Sequence, residues 1–170
     1  MGTVKVYGVQ EGENGLPCLG MMPRPRGGEN LDADIKDLKK QGVDHLVCLL
    51  EDREMNSLGL EQEEACCMRE QLNLYCFPIP DYGVPPEINS FLSLINWMDE
   101  EISCQKKIVV HCHGGIGRSS LVIAGLLLKR GMPFHLVFPT ISQARGNKTP
   151  ETNAQLDWIL SLSNSFYRHQ

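Results

Sequence analysis

With 170 residues the chain has the length of one ordinary domain, and its 42% apolar and 22% charged residues are typical of a globular protein. The net charge of −5 argues against a nucleic-acid-binding protein, because such a protein neutralises phosphates with a basic face. The longest apolar run, Leu121 to Leu128, is too short to span a bilayer, and no stretch resembles a signal peptide. We therefore expect a single domain over residues 1–170 that is cytoplasmic and binds neither nucleic acid nor membrane.

Strands and helices are predicted to alternate in the first half of the chain. The apolar run at Val43–Leu50 is typical of a strand buried on both faces, and Asn30 is a candidate cap for the helix before it. The predicted elements are strands at Val4–Val9 and Cys18–Met22 around a turn at Glu11–Gly15, a helix from Asn30 to Gly42, the strand Val43–Leu50, a helix at Glu61–Leu72 and a strand at Leu74–Ile79.

The second half continues the same alternation and contains one helix that is apolar nearly all round. Pro86 suits the first turn of one helix, and Thr149 with Pro150 suits the start of the last one. The predicted elements are a helix from Pro86 to Ile102, a strand at Lys107–Val110, the apolar helix Ser119–Arg130, and helices at Pro133–Ala144 and Pro150–Tyr167. We expect an α/β fold with a central, mostly parallel sheet of four or five strands flanked by helices.

Chemistry is concentrated where the strand ending at Val110 meets the apolar helix. The segment between them is His111-Cys112-His113-Gly114-Gly115-Ile116-Gly117-Arg118-Ser119. A loop with three glycines that ends at a helix N-terminus can turn successive N–H groups inward and bind an anion. The same field favours the thiolate of Cys112. The predicted phosphate-binding residues are His113, Gly114, Gly115, Ile116, Gly117 and Arg118.

Arg118 and Ser119 complete the predicted chemistry of this loop. The planar guanidinium of Arg118 can hold two phosphoryl oxygens and stabilise transition-state charge, and the hydroxyl of Ser119 can donate to the sulfur. A buried core cysteine followed by a plain glycine turn is the alternative for each feature taken alone. A metal site at His111 and His113 is disfavoured, because successive strand residues point to opposite faces and no second ligand pair follows.

Cys-(five residues)-Arg-Ser after a histidine resembles the active-site loop of protein tyrosine and dual-specificity phosphatases. Further similarity, at Leu19–Pro23, Asp34–Val43 and Pro78–Pro85, points to the kinase-associated phosphatase branch of the atypical dual-specificity enzymes. The resemblance covers most of the chain. It implies the α/β fold, a phosphocysteine intermediate on Cys112, a supporting role for His111, and no metal or other cofactor.

A second loop is expected to supply the proton for the leaving oxygen. Asp81 follows a predicted strand, is flanked by prolines, and lies 31 residues before Cys112. A turn aspartate that caps the next helix is the alternative. The resemblance favours Asp81 as the general acid, because family members carry that acid on such a loop.

One segment departs from the family pattern. Glu151-Thr152-Asn153-Ala154-Gln155 resembles a tyrosine phosphatase segment with a glutamine at both ends, of which the first positions the hydrolytic water. Here Glu151 replaces that first glutamine, and a carboxylate facing a phosphocysteine would be repelled. We expect Glu151 to serve as a charge at a helix N-terminus and Gln155 to support the site.

The substrate predicted from these features is a phosphorylated protein or peptide that carries phosphotyrosine, with phosphoserine and phosphothreonine as further targets. One alternative is a phosphoinositide or RNA 5'-triphosphate phosphatase that uses the same loop, although the loop lacks the internal lysines typical of lipid-directed members. Another is a non-catalytic module that binds phosphoproteins. Arg24 and Arg26 are expected to form a solvated basic loop, with contact to a second phosphate as the alternative.

Overall fold

A computed structural model describes residues 3–12 and 17–167, and within them five strands form one sheet. The strands are β1 (Tyr7–Glu11), β2 (Pro17–Met22), β3 (His45–Cys48), β4 (Asn73–Cys76) and β5 (Ile108–His111). The α-helices of this part of the chain are α1 (Leu31–Lys40), α2 (Asp52–Ser57), α3 (Glu63–Arg69), α4 (Ile88–Ser103), α5 (Gly117–Lys129), α6 (Phe134–Arg145) and α7 (Asn153–Tyr167).

Strand β5 lies at the centre of the sheet. The strand order is β1-β2-β5-β3-β4, with β1 antiparallel to β2 and every other pair parallel. The predicted mostly parallel sheet is therefore confirmed. Ligands of such sheets bind beyond the carboxyl ends of the strands, and that edge is where β5 leads into Cys112.

Two apolar layers cover the sheet, and β5 contributes to both. Val110 packs with α4 and α5 in one layer, whereas Val109 packs with α1 and α3 in the other. Successive strand side chains point to opposite faces, so a strand buried on both sides is apolar without alternation. This explains why the run before His111 is so apolar.

Helix α5 is buried along almost its whole length, as its sequence indicates. Among its residues only Lys129 is not buried. Gly131 follows the helix with φ of +87°, the left-handed conformation that glycine adopts at low cost. The burial of α5 anchors the loop that precedes it.

Asn30 is at the N-cap position of α1, as predicted, although its side chain makes no capping bond. Two other predicted helix starts are wrong by a few residues. Helix α4 is capped by Glu87, so Pro86 precedes it, and α7 begins at Asn153, so Thr149 and Pro150 precede it. Thr149 instead bonds the Ser142 hydroxyl.

Two further differences concern short elements. Helix α2 was not predicted, and the first strand begins at Tyr7 rather than at Val4. The predicted turn at Glu11–Gly15 lies largely outside the described residues. All seven cysteines are free, and no helix within the described ranges is long and apolar enough to cross a membrane.

Candidate active site

The loop after β5 folds tightly around the sulfur of Cys112. The backbone N–H of Gly115 donates to Cys112 Sγ at 3.2 Å. Gly115 has φ of +64°, and a Cβ there would collide with the backbone of Met22 and Pro23. Only glycine fits this position, and its N–H group stabilises negative charge on the sulfur.

Arg145 holds the outer side of the loop. Its Nε donates to the Gly115 carbonyl at 2.8 Å and its Nη2 to the Gly114 carbonyl at 3.0 Å. The guanidinium also lies 4.1 Å from the ring centroid of Tyr7. With these carbonyls bound outside, the peptide N–H groups are free to face the anion pocket. No local sequence signal pointed to Arg145.

Arg118 is buried, with 2% of its side chain exposed, and it has a carboxylate partner that the sequence analysis missed. Its Nη1 and Nη2 donate to the two oxygens of Glu54 at 2.7 and 2.8 Å. Nη1 also donates to the carbonyl of Ile79 at 3.1 Å. A bidentate ion pair of this kind fixes the plane of the guanidinium.

Helix α2 carries Glu54 and fixes its position. A reciprocal capping box joins Glu51 and Glu54, so the same side chain caps the helix and binds Arg118. Burial alone would raise the pKa of Glu54, but the hydrogen bonds from Arg118 and from the Glu51 N–H outweigh it and hold the pKa below its usual range. The spacing of Glu51 and Glu54 was the available sequence signal for this helix.

Asp81 reaches the same guanidinium from the loop after β4. Its Oδ1 lies 3.1 Å from Arg118 Nη2, and the side chain is 52% exposed. The N–H of Tyr82, which has φ of +56°, donates to the same oxygen at 3.0 Å. The structure therefore brings Asp81, Arg118 and the Cys112 loop together at one edge of the sheet.

Gln155 ties this acidic loop to the start of α7. Its Nε2 donates to the Gly83 carbonyl at 3.1 Å, and its Oε1 accepts from the N–H groups of Glu151 and Thr152. A Cβ on Gly117 would collide with the side chains of Glu151 and Gln155. Both residues thus lie directly against the loop after β5.

The remaining predicted residues differ in exposure. His113 is exposed, and Gly114 and Ile116 are half-buried, so this part of the loop faces solvent. Ser119 is buried, and its hydroxyl has no hydrogen-bond partner among the described residues. Its hydrogen bond to the Cys112 sulfur stays a prediction. His111 is buried, with Nδ1 3.4 Å from the Cys112 carbonyl oxygen.

A family model described as a polymorphic toxin system DSP-PTPase phosphatase matches residues 20–132. Cyclin-dependent kinase inhibitor 3 of Rattus norvegicus is 28% identical over 99 residues, which cover 58% of this chain and 46% of that protein. Protein tyrosine phosphatase type IVA 3 of Bos taurus is 28% identical over 119 residues, covering 68% of this chain and 62% of that protein. The chain spans about half the length of the first of these relatives.

The fold has a counterpart among solved structures. A crystal structure of kinase-associated phosphatase, with a serine in place of its catalytic-site cysteine, matches with a TM-score of 0.87 and 19% identity. The match covers 100% of this chain and 99% of that one. At this identity the likeness shows a shared fold.

Proposed function

Because the chain belongs to the DSP-PTPase phosphatase family, whose model matches residues 20–132, we propose that it hydrolyses phosphotyrosine in phosphoproteins through a phosphocysteine on Cys112. Phosphoserine and phosphothreonine are proposed as further targets. The observation that carries the proposal is the convergence of three groups, the Cys112 sulfur in its glycine loop, the Arg118 guanidinium and the Asp81 carboxyl.

In the first step the Cys112 thiolate attacks phosphorus while the bond to the leaving oxygen breaks. Loop N–H groups and the Nε and Nη2 edge of Arg118 bind the phosphoryl oxygens, and Glu54 keeps the adjoining Nη1 and Nη2 edge in place. The phosphate replaces Asp81 at Nη2. The released Asp81 acts in its protonated form, which takes its proton from solvent or from the water of the preceding turnover, and gives that proton to the leaving oxygen.

In the second step a water molecule attacks the phosphocysteine and the bond between sulfur and phosphorus breaks. The Asp81 carboxylate takes the proton of this water, and the electron pair returns to Cys112 as thiolate. The buried hydroxyl of Ser119, which has no other partner among the described residues, donates to the departing sulfur. Gln155 holds the Asp81 loop in place through Gly83.

A phosphoprotein is the proposed partner because the named relatives include a protein tyrosine phosphatase and a cyclin-dependent kinase inhibitor. The net charge of −5 disfavours an RNA substrate, and no lysine lies inside the loop to bind an inositol phosphate. The proposed chemistry uses no cofactor. The cytoplasmic location stays a prediction.

The test is a panel of matched peptides carrying phosphotyrosine, phosphothreonine or phosphoserine, assayed beside phosphoinositides and an RNA 5'-triphosphate. We expect the highest kcat/KM on the phosphotyrosine peptide, and no turnover by Cys112→Ser although it still binds that peptide. Preferential release of phosphate from the lipid or the RNA would replace the proposed substrate class. Binding of phosphopeptides without any turnover by the intact protein would identify a non-catalytic module.

A further inference from the structure

A second cluster of reactive side chains lies beneath the sheet, on the opposite side from Cys112. It consists of Cys48, Glu63 and His111 and is called here the Glu63 cluster. Cys48 and His111 are register partners on neighbouring strands, and Glu63 reaches them from α3. One ligand atom from each of the three lies within 4.8 Å of those of the other two. Cys48 packs in the layer with α1 and α3, whereas Cys112 belongs to the other layer.

The carboxylate of this cluster is buried without a hydrogen bond. Glu63 and His111 are both 0% exposed, and within the described residues neither Glu63 oxygen nor His111 Nε2 has a hydrogen-bond partner. Nε2 and Glu63 Oε1 are 2.9 Å apart but are not aligned as a hydrogen bond. A buried carboxylate is costly unless a positive charge accompanies it. A bound cation would balance the buried negative charge of Glu63.

The other ring nitrogen of His111 favours the same conclusion. Nδ1 lies 3.4 Å from the carbonyl oxygen of Cys112, which can only accept a hydrogen bond. Nε2, on the other side of the ring, lies 2.9 Å from Glu63 Oε1. Metal-binding histidines are held in this way, with one nitrogen on a backbone carbonyl and the other on the metal.

Sulfur atoms and an acidic groove complete the surroundings. Cys76 is the register partner of Cys48 on β4, and Met55 Sδ lies 3.6 Å from Cys48 Sγ. The contact of Cys48 with Cys76 and the burial of Cys48 both raise the pKa of the Cys48 thiol.

Cys48 and Cys76 both line a groove of about 410 Å³. The acidic residues that line this groove are Asp52, Glu61 and Glu64. Carboxylates on a groove concentrate cations near it, so the groove provides an entry path.

We propose that the Glu63 cluster binds one Zn²⁺ ion, with Cys48 Sγ, His111 Nε2 and a Glu63 oxygen as ligands. The fourth ligand would come from the groove, which reaches the cluster at Cys48. Thiolate, imidazole and carboxylate together are the ligands of Zn²⁺, whereas Mg²⁺ and Ca²⁺ take oxygen ligands. Binding transfers the Cys48 thiol proton to solvent. One thiolate and one carboxylate then cancel the charge of the ion, which leaves the buried site neutral.

This proposal does not depend on the phosphatase reaction, so it is tested in the Cys112→Ser background, where the nucleophile cannot bind metal. Zn²⁺ is titrated against a chromophoric chelator in the absence of competing thiols. We expect one equivalent to bind, and Glu63→Gln to weaken binding by about 10- to 100-fold. Glu100→Gln alters an exposed carboxylate on α4 that does not line the groove, so it is the control and should bind as the parent does.

Spectroscopy identifies the ligands and keeps the test valid if a variant is poorly folded. Co²⁺ bound in place of Zn²⁺ should give a thiolate-to-cobalt charge-transfer band in the parent and in Glu100→Gln, and Cys48→Ser should weaken or remove it. The melting temperature of the parent should rise with Zn²⁺. The proposal is overturned if no equivalent binds, if Glu63→Gln binds as tightly as Glu100→Gln, or if Zn²⁺ leaves the melting temperature unchanged. In those cases a proton shared by Glu63 and His111 balances the buried charge.

Discussion

Two buried charges close to Cys112 are treated in opposite ways by the fold. Nη1 and Nη2 of Arg118 both donate to Glu54. Nη1 also donates to the Ile79 carbonyl, and Nη2 also contacts Asp81. Glu63, on the other side of the sheet, has no hydrogen bond to either oxygen within the described residues. Both side chains are at most 2% exposed, so solvent compensates neither of them.

This difference teaches how each region is prepared for a ligand. The pair with Glu54 fixes the orientation of Arg118, which the proposed reaction needs both with and without phosphate. Only the edge shared with Asp81 is open to exchange. Glu63 has only the unaligned 2.9 Å contact with His111 among the described residues, and in the zinc proposal an external cation balances its charge.

The largest expected effect comes from the exchangeable edge of the active site. Asp81→Asn should slow turnover of phosphotyrosine and alkyl phosphates by roughly 10² to 10⁴, because their leaving groups need a proton. Aryl esters with strongly acidic leaving groups need little protonation and should lose much less. The measurement is kcat/KM on both substrates with one enzyme preparation.

Asp52→Asn is the matched control for this variant, since Asp52 is an exposed aspartate at the first position of α2, shortly after β3. It should leave both rates near those of the parent. An equal loss on both substrates in Asp81→Asn, or a selective loss in Asp52→Asn, would remove Asp81 as the acid.

The next effect tests Arg118, whose guanidinium is paired with Glu54. Arg118→Lys should lower kcat/KM by roughly 10² to 10³, because an ammonium group cannot hold Glu54 and two phosphoryl oxygens in one plane. Steady-state kinetics on the phosphotyrosine peptide measure the loss. Arg130→Lys alters an arginine at the far end of α5 from the loop, where it pairs with Asp99, and should leave the kinetics unchanged. Parent-like kinetics in Arg118→Lys would show that the loop does not bind phosphate through this residue.

Removing Glu54 should leave Arg118, like Glu63, as a buried charge without a hydrogen-bonded counterion. Glu54→Gln leaves a buried guanidinium charge without its counterion and should lower the free energy of unfolding by about 3 kcal/mol at neutral pH. The pKa of Glu54 is lower in the folded protein than in the unfolded chain, so its contribution is complete above the unfolded pKa. That contribution is lost as the pH falls through the folded pKa.

Denaturant unfolding at neutral pH and at acidic pH measures this dependence. The difference between the parent and Glu54→Gln should shrink at acidic pH, whereas Glu61→Gln, an exposed control, should match the parent throughout. A difference that stays constant across the same pH range would mean that the Glu54 charge is not what stabilises Arg118.

The smallest effect has the opposite sign. In a metal-free buffer Glu63→Gln should raise the free energy of unfolding by about 1 kcal/mol, because it removes a buried charge that has no hydrogen bond. With Zn²⁺ present the order should reverse, since only the parent binds the ion tightly. Thermal unfolding with and without Zn²⁺ measures both differences. A loss of stability in the metal-free variant would show that Glu63 is already paired with a protonated His111.

Local sequence patterns were sufficient for the sheet and for the position of the loop after β5. Cys112 and Arg118 lie in one short segment between an apolar strand and an apolar helix, so their closeness could be inferred from adjacent letters, while their catalytic roles stay predictions. The buried parallel strands were predictable because they are continuous apolar runs. Their order in the sheet depends on contacts between distant segments and was not predictable.

The partners of these residues could not be found in the same way. Glu54 is 64 positions from Arg118 and lies on a six-residue helix that is too short to show an apolar period. Arg145 is 31 positions from the carbonyl of Gly114 that it binds. His111 lies beside Cys48 and Glu63, which come from two earlier segments of the chain, and no local spacing indicates this cluster. Contacts of this kind arise only when the sheet is assembled.

Trapping the phosphoenzyme tests the central claim most directly. A phosphotyrosine peptide is mixed with excess enzyme, the reaction is quenched in acid within its first turnover, and the digested protein is mapped by mass spectrometry. The account predicts one phosphoryl group on the enzyme fragment that contains Cys112. This group should form at the rate at which the dephosphorylated substrate peptide is released, and it should be absent from Cys112→Ser. Release of the dephosphorylated peptide without phosphate on Cys112, or phosphate on another residue, would contradict the account.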